Sequence, residues 1–515
     1  MKTMTFLRSH IVIASAVAAS CLIGCHVGPT YQRPPAVAQA PPAIYKESPQ
    51  NFPDSDAWKV AQPQDAMLRG KWWEIYNDPE LNALEDKVDI DNQNIKSAFQ
   101  NFMAARAVVA EARSQLFPVI GFNPSFQENG TSANNSTTNS NSSNPTVVVP
   151  TSRVSGNYSL PFDVSWEPDL WGRIRNTIRE QQYAAQVSEA DLENERLTEQ
   201  ASLAIFFFQL RGQDALLALL NQTIADFQKT LDYTRAQYET GVGTQISVVE
   251  AQNSLQNAQA SATNVGVARA QYEHAIAVLI GANPSTFSVP VRPLNATPPA
   301  IPLGMPSQLL ERRPDIAAAE RTMAQANAAI GVADAAFFPT LTLGATAGLS
   351  SSSFKHLFEW SSRVWSVGPS VSETIYDGGL RRATVHQFTA IYNADVANYR
   401  QTVLTSFQQI EDYLAAVRIL SQQIQQQQQA VASAQQFVDL ELARYQTGID
   451  PYIDLITAQN TLLSDQQTIT GLHTQAMTAS VQLIVALGGG WDSSQLPSPA
   501  QVSQKPTAAQ TAIQR

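Results

Sequence analysis

One stretch of this 515-residue chain is written twice. Tyr238–Leu255, YETGVGTQISVVEAQNSL, returns 207 positions later as Tyr445–Leu462, YQTGIDPYIDLITAQNTL. Eight of the eighteen positions agree, among them Tyr238/Tyr445, Gly241/Gly448 and the Ala-Gln-Asn runs from Ala251 and Ala458. Unrelated segments of ordinary composition would share about one. A repeat this long is too coarse for a solenoid and points to one body built from two duplicated halves. In each copy a long helical pattern precedes the stretch, a glycine stands where the helix must stop, and a second helical pattern follows. Each copy is therefore the turn of a helical hairpin, which gives the molecule two equivalent tips, Gly241-Val242-Gly243-Thr244 and Gly448-Ile449.

The halves, 78–306 and 307–490, share one order: helix, two strands, long helical hairpin. The long patterns span Arg173–Thr240 and Leu380–Thr447, roughly 100 Å each at 1.5 Å per residue. Their apolar residues alternate spacings of three and four, as in Leu203, Phe206, Leu210 and in Phe407, Ile410, Leu414, Val417. That sustained 3.5-residue period predicts coiled-coil packing. Gln428 and Gln435 sit in the same seam and point to an inner face lined by water. Shorter helical patterns cover Asp78–Leu116, Gln245–Gly281 and Ser307–Phe337; the last two together match one long helix in length and are expected to fit end to end against it.

Strict alternation marks four strands, at 119–127, 154–166, 340–350 and 364–375. In the second, Tyr158, Leu160, Phe162, Val164 and Trp166 share a face, while Asn157, Ser159, Asp163 and Ser165 take the other. The Asn/Ser/Thr-rich stretch from Glu128 to Pro150 predicts a solvated loop. Alternation alone fits a soluble sheet with one wet face as well as a membrane barrel. Strand length matches the roughly 9–11 residues a tilted strand needs to cross a bilayer. Four strands cannot close, and bare edges in lipid are costly. Closure takes several copies, and two, three or four would give about 8, 12 or 16 strands.

Composition excludes other classes. With 44 acidic against 33 basic residues the net charge is −11, the wrong sign for a nucleic-acid partner. The two cysteines, Cys21 and Cys25, leave no disulfide framework in the body. The six histidines lack metal-ligand spacing, and no phosphate loop or nucleophile elbow is present. No catalytic residue, metal site or cofactor is expected. Residues 1–24 have the layout of a secretory signal, and Leu22-Ile23-Gly24-Cys25 resembles a lipobox, making Cys25 the candidate lipidation residue. Pro-rich residues 25–77 are expected as an extended strap from that anchor, and 491–515 as a flexible tail. Beyond residue 24 no run of 18 apolar residues exists, so a bilayer would be crossed only by a closed barrel.

Several motifs together resemble one family. They are Cys25-His26-Val27-Gly28-Pro29-Thr30-Tyr31-Gln32-Arg33-Pro34, Trp72-Trp73, Trp166-Glu167-Pro168-Asp169-Leu170-Trp171-Gly172-Arg173, Leu309-Leu310-Glu311-Arg312-Arg313-Pro314-Asp315-Ile316 and Asp377-Gly378-Gly379. The chain resembles the outer membrane factors of the TolC family, specifically the lipoprotein branch of tripartite efflux systems (NodT- or OprM-like). The resemblance implies a mostly α fold with a membrane β-barrel, in which a homotrimer closes about 12 strands above a coiled-coil α-barrel in the periplasm. It implies an exit duct for drugs or other small toxic compounds, with a periplasmic adaptor (membrane fusion protein) and an inner-membrane pump of the RND type or similar as partners. The adaptor would touch Val242-Gly243-Thr244 and, at the divergent second tip, Gly448-Ile449. The gate would be a ring of Arg444, Tyr445, Ile453 and Asp454; Tyr445 equally fits a coiled-coil knob, and Asp454 a solvated helix start. Two alternatives remain: the exit of a protein-secretion system, and a non-channel periplasmic coiled-coil lipoprotein.

Overall fold

The structure, a computed structural model, describes residues 27–36, 46–47, 70–131, 153–301 and 312–504. Cys25, the signal segment and residues 505–515 lie outside the described residues. After a 3-10 turn at Trp72–Tyr76 come α1 (Pro79–Asp91), α2 (Gln93–Ser114), β1 (Val119–Phe122), β2 (Ser125–Thr131) and β3 (Arg153–Trp166). The first long hairpin follows as α3 (Arg173–Glu239) and α4 (Gln245–Leu279). The second half supplies α5 (Pro314–Ala335), β4 (Thr340–Ser351), β5 (Arg363–Ser372), α6 (Leu380–Gln446), α7 (Tyr452–Ala486) and the short α8 (Pro499–Val502). Both ends of α3 and α4 lie 207 positions before those of α6 and α7, so the repeat holds through each hairpin.

Two expected elements are broken, each for a local reason. The helix expected over Asp78–Leu116 divides at Asn92, whose ψ of 127° leaves the helical range. The Asn92 side chain accepts from the Asn94 and Ile95 amides, and its Nδ2 donates to Glu199 and to the Leu279 carbonyl. The first strand divides at Asn123-Pro124, since proline has no N–H for the ladder. Both pieces keep one register on β3, with Phe122 opposite Phe162 and Ser125 opposite Ser159.

The helices form one layer. α3 is flanked on one side by α2 and α4 and on the other by α5 and α7, whereas α6 packs mainly on α5 and α7. The short helices do stack end to end, but in a different pairing from the expected one. Asn92 joins α2 to the end of α4, and Arg313 joins α5 to the end of α7 by donating to the Ala486 carbonyl at 3.0 Å. Each half thus completes its own stack. The window of α3 apolar enough to span a bilayer is half buried, and its residues Leu203, Phe207, Phe208 and Leu210 belong to the main core.

Trp72 and Trp73 plug that core beside Phe207, Ile276, Leu414 and Ile484, so the expected strap ends in a packed turn. Upstream, described residues of the strap make contacts with the second half. A methyl group at Gly28 would lie 2.5 Å from Gly331 Cα, Tyr31 donates to Glu320 at 2.6 Å and Arg33 to the Tyr399 hydroxyl at 3.0 Å. Farther on, the Lys46 amide donates to Glu411 and Arg418 pairs with Glu47. The expected flexible tail is in part ordered. Residues 491–504 lie on α2 and α3, with Val502 buried against Val109 and Ala185 and Arg106 donating to the Gln504 carbonyl. A capping box of Ser498 and Gln501, hidden in low-complexity sequence, starts the short helix.

Glu85 is fully buried on α1, and neither carboxylate oxygen has a hydrogen-bond partner. Burial, with Asp89 and Asp86 nearby, pushes its pKa well above the ordinary carboxylate value. A folded-state pKa raised this way means that its contribution to stability is present below the unfolded pKa. It is lost as pH rises through the folded one. Glu85→Gln is therefore expected to stabilise the protein at neutral pH, by about 1–3 kcal/mol. The gain should shrink toward pH 4.5, the ordinary value; thermal melts at both pH values measure it.

Candidate functional site

The sheet is antiparallel in the order β1-β3-β4-β5, with β2 continuing β1 along β3. Its register brings like residues together on every strand. Across one row, Ile120 faces Val164, Val164 faces Ala345 and Ala345 faces Val367. The next row on the same face runs Phe122, Phe162, Ala347, Trp365, with Phe122 and Phe162 stacked at 4.7 Å. Among the described residues nothing covers this apolar face: Trp365 is 78% exposed and Val367 73%. The opposite face carries Gly121, Asp163, Thr346 and Ser366. There Asp163 accepts from Thr346 at 2.8 Å and from Asn123 at 3.2 Å. A charged carboxylate with polar partners suits water, and a bare band of Phe, Val and Trp suits lipid. Exposed Phe354, Phe358 and Trp360 gather beyond one end of the strands, and Phe117, Phe337 and Tyr376 at the other. Two aromatic girdles frame such a band in membrane barrels.

Two motifs seen in the sequence fix where the sheet meets the long helices. Asp169 accepts from the Ile174 and Arg175 amides at the start of α3. Asp377 does the same for Gly379 and Arg381 at the start of α6, and bonding to Arg381 holds its carboxyl well below the usual range. Each motif turns the chain through a glycine at positive φ, Gly172 at 84° and Gly379 at 94°. Trp166 and Trp171 donate their indole N–H to the carbonyls of Leu116 and Pro339, the matching helix-to-strand corners of the halves. The Arg312–Ile316 motif is structural: Pro314 opens α5, while Arg313 grips Asp315, Gln409 and the Ala486 carbonyl.

At the far end lie the two tips. Gly241 (φ 78°) and Gly448 (φ 73°) stop α3 and α6, and the Val242 and Ile449 amides bond back to the Gln237 and Arg444 carbonyls. Thr244 caps α4 through the Ser247 amide. Val242 and Ile449 are thrust outward, 74% and 66% exposed, and Gly241, Thr244 and Gly448 are exposed with them. Gly243 is half-buried against Gln237.

The expected gate residues separate. Ile453 and Asp454 are exposed on the first turn of α7. Arg444 is exposed and donates from Nε and Nη2, one edge of its guanidinium, to both carboxylate oxygens of Asp450 across its own turn, which holds the Asp450 carboxyl below its ordinary value. Asp450 is the partner that sequence reasoning missed; an acid just past the turn glycine was the available signal. Tyr445 is buried between the hairpins, with Tyr233 at 5.8 Å, Tyr452 at 5.6 Å and its hydroxyl donating to Thr234. That burial fits the coiled-coil knob, the second of the two roles the sequence allowed. Among the described residues no group of His, Cys, Asp and Glu could hold a metal.

A sequence profile described as outer membrane efflux protein matches residues 86–282 and 305–489. A toluene efflux pump outer membrane protein of Pseudomonas putida, TtgC, is 31% identical over 484 residues, covering 93% of this chain and 96% of the relative. The outer membrane protein OprJ of Pseudomonas aeruginosa is 29% identical over 93% of this chain and 96% of its own length. Among solved structures, the outer-membrane channel OprN superimposes with a TM-score of 0.80 at 26% identity, over 91% of this chain and all of its own.

Proposed function

The chain belongs to the outer membrane efflux protein family, and from that premise we propose that it is the exit duct of a tripartite efflux pump. It works as a passive, gated homotrimer in the outer membrane. Its cargo is small toxic molecules, as the name of the toluene-pump relative describes for that protein. One observation carries this reading: the apolar band is in register across every strand, yet the sheet ends in bare edges at β1/β2 and β5. Three copies edge to edge would pair those edges and set the polar face around a watery lumen.

Below the sheet, the helices continue the duct toward the inner membrane. The exposed tips at Val242-Gly243-Thr244 and Gly448-Ile449 dock the adaptor, which links the duct to an RND-type or similar inner-membrane pump. Around the trimer axis, three copies of Ile453 and Asp454 form the constriction, an apolar ring that sheds water beside an acidic one that favours cations. The Arg444–Asp450 pair stiffens the turn that carries them. Cys25, acylated, anchors the strap in the outer membrane; the mass of the mature N-terminal peptide tests that anchor.

The duct itself is tested by purifying the protein and by expressing it with its pump and adaptor in cells lacking an outer membrane factor. Heat-resistant trimers, conductance steps in planar bilayers and restored resistance are expected. A delipidated, water-soluble monomer without conductance would overturn the reading in favour of a non-channel coiled-coil lipoprotein.

A further inference from the structure

The end of the sheet far from the helices carries cations that neither the duct nor the tips employ. On the apolar face, the row beyond Phe162, Ala347 and Trp365 holds Leu160, Leu349 and Arg363. Among the described residues Arg363 is the one cation on that face of the strands. Its Nε donates to the Trp360 carbonyl at 3.0 Å, and its guanidinium lies over the Trp360 ring. The connection from β4 to β5 leans over the same side. Phe354 packs on Tyr158 at 5.7 Å and Tyr158 on Phe126 at 4.5 Å, and the last two belong to the apolar face. Phe358 extends this cluster of rings, and exposed Lys355 follows Phe354 in the turn. The turn is braced from within, since Leu357 is buried and Ser362 donates to the His356 carbonyl at 2.6 Å.

Neither Lys355 nor Arg363 has a carboxylate partner among the described residues. Glu359, the acid of this turn, is held by His356 at 2.6 Å, and Glu128 on β2 pairs with neither cation. Residues 129–152, the other long connection at this end, contain no charged residue and bring no acid. The helix end is arranged differently: Arg173, Arg175 and Arg381 are matched with Glu167, Asp169 and Asp377. In a chain of net charge −11, two unmatched cations among bare aromatic rings leave an anion to be supplied from outside.

Aromatic rings bordered by basic side chains match a lipid whose phosphate sits at the top of its acyl chains. This end faces the cell exterior, because the helices run into the periplasm. We propose that the rim docks a phosphorylated glycolipid of the outer leaflet, its acyl chains on Phe358, Trp360 and Trp365 and its phosphates on Arg363 and Lys355. An arginine can aim two N–H groups at one phosphate, and exposed Ser352 and Ser361 stand in the same turn for sugar hydroxyls. The penalty for a cation on the lipid face fades toward the interface, which is where Arg363 lies. The proposal rests on the outer-membrane duct described above and adds a lipid partner to it.

The test is native mass spectrometry of purified full-length trimers, with lipid A, dephosphorylated lipid A, phosphatidylglycerol and inorganic phosphate as probes. Each cation beside an anionic lipid contributes about fivefold in affinity. Lys355→Gln/Arg363→Gln is therefore expected to bind lipid A about 25-fold more weakly than the wild type. Both side chains are exposed, so trimers should form as before. Arg382→Gln, which removes an exposed cation at the helix end, should bind like the wild type. Dephosphorylated lipid A should bind wild type and double variant alike, and inorganic phosphate should not displace the lipid. Equal retention of lipid A by wild type and double variant overturns the site. Phosphatidylglycerol bound as tightly as lipid A, or lipid displaced by inorganic phosphate, overturns the glycolipid as its occupant. Trimers without the phosphate preference leave the duct intact, whereas a wild-type protein that forms no trimers overturns both.

Discussion

Val367→Arg is expected to remove the protein from the outer membrane and leave cells as drug-sensitive as a strain without it. In one copy this side chain touches little, being 73% exposed on an edge strand. If water covered it, an arginine there would change stability by no more than about 0.5 kcal/mol. If lipid covers it, a cation near the middle of the apolar band costs about 2–4 kcal/mol, paid in each of three copies. Ser366→Arg, one residue away on the polar face, is the matched control and should assemble normally. Membrane fractionation with unheated gels separates the two outcomes, and equal assembly of both variants would rule out a lipid-facing band.

Much of this architecture was legible because the chain states it twice. Both long helices end within a residue of their expected limits, since Gly241 and Gly448 turn the backbone left-handed there. The strand faces were equally plain, because period two survives the break at Pro124. What could not be read were relations between elements. Asn92 looks like one more polar residue on a helix until Leu279 and Glu199 arrive beside it. Val502 looks like part of a disordered tail until Val109 and Ala185 cover it. The fates of Tyr238, which is exposed, and Tyr445, which is buried, diverge for the same reason: identical local sequence fixes identical turns, while burial depends on which flank has a neighbour. The candidate gate shows this most clearly. The resemblance named Ile453 and Asp454, which the fold leaves exposed, but it did not pair Arg444 with Asp450.

Val242→Asp and Ile449→Asp together are expected to abolish export while trimers form in normal amounts. Both side chains stand at turns whose backbone bonds involve only amides and carbonyls, so neither substitution disturbs the fold. Glycine substitutions would be poorer probes, because Gly241 and Gly448 adopt positive φ and any side chain there strains the turn itself. An aspartate at the centre of an apolar contact leaves a charge without a partner, and losing a central apolar anchor costs about 2 kcal/mol or more. With two tips in each of three copies the losses compound, because simultaneous contacts make the adaptor's hold multivalent. The single variants should each weaken resistance partially, and the double variant should match the deletion strain. Conductance of the purified double variant should equal that of the wild type, which separates a docking defect from a blocked pore. Full resistance in the double variant, with trimers present, would move the adaptor contact away from the tips.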